Sequence, residues 1–157
     1  DRTSRGLGDV YKRQNEFYLS NVMSSLNTEI YYLIIVTFFC GLLWIPYVTE
    51  RFFRIGIKET CGYGDKNINI PQSASRAKLA HLNLIENLPL FAILIIVVTL
   101  LENNNEQTAT GSIIFFYSRV LHYLIYVFGI PYLRTALFLS SWFGLLIISI
   151  SIFRYIF

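Results

Sequence analysis

The chain has 157 residues, of which 54% are hydrophobic, 17% aromatic and 15% charged, with a formal net charge of +3 and a mean hydropathy of +0.49. Charged residues make up about a quarter of an ordinary soluble domain, so this composition excludes that class. The small net charge, carried on scattered Lys and Arg, likewise excludes a nucleic-acid-binding surface.

From the N-terminus, SRGLGDVYKRQ (Ser4 to Gln14) reads as the translation of a sequencing adapter. Residues 1–22 are therefore set aside as a non-native tail, and the native domain is expected from Met23 to Phe157. Four apolar stretches follow, Ile30–Val48, Leu79–Leu101, Ile113–Ile130 and Ala136–Phe153. Each suits one spanning helix, since a hydrocarbon core of about 30 Å needs about 20 helical residues. The predicted fold is all-α, a single four-helix transmembrane bundle.

Between the first two spans, CGYGDKNINIPQSAS (Cys61 to Ser75) is rich in Gly, Asn, Ser and Pro and is expected to be irregular. Gly62 and Gly64 lack the strand before and the Lys-Ser/Thr after that a phosphate loop needs. Ser75 and Lys78 match a Ser-x-x-Lys pattern whose companion motifs are absent. Cys40 falls in a span and Cys61 in the loop, so no disulfide is expected, and neither has metal-ligand company. Within the second span, Pro89 removes a backbone hydrogen bond near Ile85 and predicts a local kink.

Loop charge orients the bundle. Arg51, Arg54, Lys58, Lys66, Arg76 and Lys78 cluster around the first connection, whereas ENNNEQTATG between spans two and three has no cation. The positive-inside rule places the first connection in the cytoplasm and both termini outside it. Arg134 in the tight turn after Gly129 and Pro131 falls on the cytoplasmic side, and Arg154 dissents.

Leu88 to Leu101 alone is too short to span, so the second helix must start near Leu79 and carry Asn83 and Glu86 into the edge of the bilayer. An ionisable side chain there is costly and marks a functional site by default. Arg76, Leu79, Asn83 and Glu86 share one helical face, as do Arg119, His122 and Tyr126 on the third span. Two such stripes can converge on one cavity. The bland alternative is an Arg119–Glu86 ion pair that only holds the helices in register. His81 is rotated off the stripe and reads as structural, Trp44, Trp142 and Tyr155 as interface anchors, and Ser140, Ser141, Ser149 and Ser151 as small residues allowing close helix approach.

These motifs carry a resemblance. AHLNLIENLPLF followed by SRVLHYLIYVFGIPYLRT, with LWIPY at residues 43–47, resembles bacterial members of the MAPEG family, the membrane-associated proteins in eicosanoid and glutathione metabolism. The likeness runs from Met23 to Phe157. It implies a homotrimer in a bacterial inner membrane, with glutathione as co-substrate bound between subunits near the cytoplasmic side and no metal. The partners implied are glutathione, a hydrophobic electrophile or lipid hydroperoxide, the bilayer and further copies of the chain. Position by position, Asn83, Glu86, Tyr126, His122, Arg119 and Arg76 match or neighbour glutathione contacts, and Arg134 matches the arginine that holds the sulfur as thiolate. One departure is clear. The family commonly has Arg four residues before the motif Asn, where this chain has Leu79; Arg76, Lys78, Arg51 and Arg54 are the cations near enough to substitute. A glutathione transferase, with peroxidase activity as a variant, is the implied function. A catalytically silent protein of the same fold, its polar stripe structural, is the rival.

Overall fold

The structure is a computed structural model that describes residues 11–14, 27–62 and 70–157. Apart from 11–14, the tail expected at 1–22 lies outside the described residues, as does residues 63–69 of the first connection. Five long helices follow one another, α1 (Thr28–Leu42), α2 (Ile45–Cys61), α3 (Gln72–Leu100), α4 (Glu106–Phe128) and α5 (Pro131–Ile156). No strand occurs among the described residues. Four helical segments are long and apolar enough to cross a membrane, with α1 and α2 together counting as the first.

The first span differs from the expected single helix over Ile30–Val48. Pro46 has no N–H to give to the carbonyl of Leu42, so the regular ladder cannot pass. Instead Leu43 N–H turns tightly onto Cys40 O at 3.2 Å, and the ladder restarts with Val48 N–H on Trp44 O at 3.1 Å. The helix α2 that follows runs up to Cys61, the first residue of the stretch expected to be irregular, and Gly56 at φ 80° interrupts it. At the other side of the connection α3 begins at Gln72, after Pro71, so Gln72 to Ser75 are helical rather than loop.

Helix α3 runs through Pro89 without a break in its helical assignment. Its inward stripe, Ala74, Ala77, Ala80, Leu84, Asn87, Phe91, Ile95 and Val98, repeats every three or four residues, the spacing of one helical face. Phe91 stacks on Phe115 of α4 with ring centroids 4.2 Å apart, and both are fully buried. Outward, Ile93, Ile96 and Leu100 are exposed, as lipid-facing side chains are.

Helix α4 starts seven positions before the expected Ile113 because Asn105 caps it. The Asn105 side chain accepts from the backbone of Gln107 and Thr108, and the Thr108 hydroxyl accepts in return from Asn105 N–H. The buried Thr108 hydroxyl also donates to the buried Glu29 carboxylate, tying α1 to α4. Gly129 closes α4 in the left-handed conformation, and Pro131 opens α5 at once. The turn is thus too short for anything but antiparallel packing of α4 on α5, the most extensive pairing in the bundle. Their backbones touch at Gly111 and Gly144, where a Cβ on Gly144 would lie 2.7 Å from the Gly111 carbonyl oxygen. Buried Ser141 and Ser151 flank this contact, whereas Ser140 is exposed and Ser149 half-buried.

Gly144→Ala should destabilise the bundle by about 1–3 kcal/mol, because the obstructing atoms are backbone. Gly41 has open space around its Cβ position, so Gly41→Ala should be neutral or stabilising by up to about 1 kcal/mol. Thermal unfolding of the two variants in the same detergent checks the contrast.

Candidate functional site

Arg119 is the largest fully buried side chain, 1% exposed. A guanidinium cannot shed its charge at ordinary pH, so the bundle must solvate it. Arg119 Nη1 donates to Asn83 Oδ1 at 2.9 Å. The guanidinium carbon sits 5.3 Å from the Phe115 ring centroid and 5.2 Å from that of Phe138, within cation–π range. Its Nε and Nη2 are buried and have no acceptor. The expected stripes on α3 and α4 therefore do meet, but at Asn83. The Arg119–Glu86 pair does not form. Glu86 is exposed and makes no ion pair among the described residues, because the inward stripe of α3 passes through Leu84 and Asn87 and turns Glu86 outward. Asn87 lies on that stripe and donates to Asn83 O at 2.7 Å.

From Arg119 an aromatic file leads to the α4–α5 turn. His122 is buried, with its ring 6.2 Å from Phe138 and 5.5 Å edge-on from Tyr126. The Arg134 guanidinium then lies over the Tyr126 ring at 4.6 Å. Arg134 is half-buried and bonds no carboxylate among the described residues, so its N–H donors are free. It stands in the first turn of α5, where the helix macrodipole also favours an anion.

Arg76 serves the same turn from the other side. A Cβ on Gly129 would lie 2.1 Å from Arg76 Nη1, so the guanidinium rests against the C-terminal end of α4, the negative pole of that helix. Glycine is favoured there by φ 80°, and a Cβ would push the Arg76 head group off the turn. Leu79 is 52% exposed on the lateral surface. His81 is off the stripe, as expected, and its Nδ1 is bonded to the Tyr47 hydroxyl at 3.1 Å. Among the described residues, no group of three His, Cys, Asp or Glu side chains forms a metal site.

Phe138 and Phe115 were not among the expected site residues. Phe138 is one helical turn beyond Arg134, so the spacing put both on one face of α5. An aromatic in an apolar helix nevertheless reads as ordinary packing, and no sequence signal identifies the cation it covers.

Compared with known protein families, residues 30–154 match the model of the MAPEG family. No curated protein and no solved structure matches the chain.

Asn83→Leu should strand the Arg119 charge and destabilise the bundle by about 1–3 kcal/mol or more. The double variant with Arg119→Met should recover most of that loss, since no unpaired charge then remains. A double-mutant cycle read by thermal unfolding in detergent measures the coupling.

Proposed function

The chain belongs to the MAPEG family, and from that premise we propose that this multi-pass membrane protein is a glutathione-dependent transferase working on hydrophobic electrophiles. The observation that carries the reading is Arg134, a cation fixed over Tyr126 at 4.6 Å with its donors unspent. A thiol of pKa about 8.5 is mostly protonated at neutral pH, and only its thiolate is a good nucleophile. A guanidinium in a poorly hydrated site stabilises that thiolate and activates it. The sulfur then attacks the electrophilic carbon, its proton leaves to solvent, and the leaving group departs with the bonding electrons. Reduction of a lipid hydroperoxide uses the same activated sulfur: the thiolate attacks the peroxide oxygen and releases the alcohol, and a second glutathione converts the resulting sulfenic acid to the disulfide with loss of water.

Glutathione is held, in this reading, along the exposed stripe that carries Glu86 and past the turn formed by Arg76, Tyr126 and Arg134. Glu86 receives the ammonium of the tripeptide. His122 and Arg119 lie behind the site and orient Tyr126 and Asn83. A carboxylate uncovered at the edge of the apolar belt is expensive, which supports a second copy of the chain covering it and hence the homotrimer usual in this family. The silent rival is favoured by one observation, that Asn83 already spends its carbonyl oxygen on Arg119 at 2.9 Å. In that reading the stripe serves packing alone.

Orientation is tested with Cys61, which is exposed while Cys40 is buried. If the α2 end of the bundle faces the cytoplasm, a membrane-impermeant maleimide should leave Cys61 unlabelled in intact cells carrying Cys40→Ala. Labelling would reverse the topology.

Leu79→Arg should restore a carboxylate clamp and tighten glutathione by about 1–2 kcal/mol, roughly tenfold. Isothermal titration into the solubilised protein reads it directly. No gain would mean that glutathione does not lie along this stripe.

Arg134→Leu should leave the bundle folded, because the residue is half-buried at a helix end. The thiolate absorbance of bound glutathione at neutral pH should fall, and conjugation to a chlorodinitroarene should slow about a hundredfold to a thousandfold. Wild-type turnover in this variant removes Arg134 from the mechanism. A wild type with neither thiolate signal nor turnover selects the silent reading.

A further inference from the structure

We propose that a cavity between α2 and the N-terminal end of α3 binds the phosphate of an anionic phospholipid headgroup. The cavity has a volume of about 420 Å³, and Tyr47, Arg51, Thr60, Ser75 and Lys78 contribute its polar wall. None of the described residues that line it is acidic. Tyr47 is spent on His81 at 3.1 Å and the Thr60 hydroxyl donates to Gly56 O at 2.7 Å. Among the described residues Arg51, Lys78 and Ser75 are left as the free donors, and Arg51 Nε is buried without an acceptor. The nearby Glu50 does not neutralise Arg51, because it holds Arg54 at 2.7 Å. Two cations with an orphaned buried N–H ask for an oxyanion.

The neighbouring surface says which one. Helix α2 exposes Phe52, Phe53 and Ile57, with Phe53 78% exposed, and carries Arg54 and Lys58 beside them. Aromatic and basic side chains together on one helix, at the end of an apolar span, belong in the membrane interface. There a lipid phosphodiester is the most concentrated anion, and its acyl chains meet the exposed apolar residues of α2. A soluble anion would leave those residues without a role. Ala74 and Lys78 lie well round α3 from Arg76 and Asn83, whereas Ser75 lies on the side of Glu86, so glutathione is included in the test as a competitor.

The test uses delipidated protein in neutral detergent at fixed ionic strength, titrated with short-chain phosphatidylglycerol, short-chain phosphatidylcholine or inorganic phosphate and followed by thermal unfolding. Phosphatidylglycerol should bind at least about tenfold more tightly than phosphatidylcholine. Arg51→Ala with Lys78→Ala should weaken it about tenfold or more, whereas Lys58→Ala, also a lost cation on α2, should not. Should the double variant fail to fold, Ser75→Glu places a carboxylate in the cavity from an exposed position and should abolish the preference. Equal binding of the two lipids, equal loss in Lys58→Ala, or no effect of Ser75→Glu each overturns the site. Inorganic phosphate that stabilises as much as the lipid and displaces it would make this a free-anion site, and displacement by glutathione would assign it to the co-substrate; either refutes the lipid proposal.

Discussion

A permanent positive charge inside an apolar bundle is the constraint on which the arrangement of the helices rests. The effective penalty for desolvating an ion is several kcal/mol, and Arg119, 1% exposed, has no carboxylate among the described residues to offset it. Instead three helices each supply part of a substitute solvent: Asn83 from α3, Phe115 from α4 itself and Phe138 from α5. Meeting that demand fixes the register of α3 against α4 and the rotation of α5 about its axis. The same rotation puts His122 and Tyr126 in line with Arg134 at the turn.

The other end of the bundle is tied by neutral and acidic groups. Glu29 accepts from Thr108 between α1 and α4, and Asn105 donates to Ser151 of α5 at 2.9 Å. Between the two ends, packing dominates, with Phe91 stacked on Phe115 and the glycine contact of α4 on α5. Spanning helices gain little from hydrophobic exclusion of one another, since lipid is as apolar as their side chains. Close backbone approach and polar ties must do that work, and both are present here. Among the buried polar groups, Glu29, His81, Thr108, Arg119 and Ser151 are spent on such ties, whereas Asn87, Ser112 and Ser141 bond carbonyls of their own helices. At the α2 end, Arg134 and Arg51 keep unspent donors, and both readings of ligand binding developed above begin from one of them.

Arg76 illustrates how one residue can belong to a stripe and yet serve another element. Helical spacing aligns it with Asn83 and Glu86, but its head group rests on Gly129, at the carbonyl end of α4. There it offsets the helix dipole and backs the turn that presents Arg134. Its effect on any anion bound at that turn is therefore electrostatic and positional, through the geometry of Gly129 and Pro131.

What the sequence by itself determined is local. Hydropathy marked the membrane-spanning segments, glycine and proline marked the α4–α5 turn, and three-and-four spacing grouped Arg119, His122 and Tyr126, because helical periodicity is a property of neighbours along one chain. Pro46 was equally legible as a helix breaker, and the interruption of the first span was the element misread. The tertiary structure alone decided which face of α3 turns inward. That choice gave Arg119 to Asn83, left Glu86 exposed, made Phe138 a partner of a buried cation and opened the cavity beside Arg51. Each of these depends on the rotational setting of one helix against another. That setting comes from backbone contacts such as Gly111 on Gly144 and from the need to satisfy one buried charge, neither of which any single helix can encode.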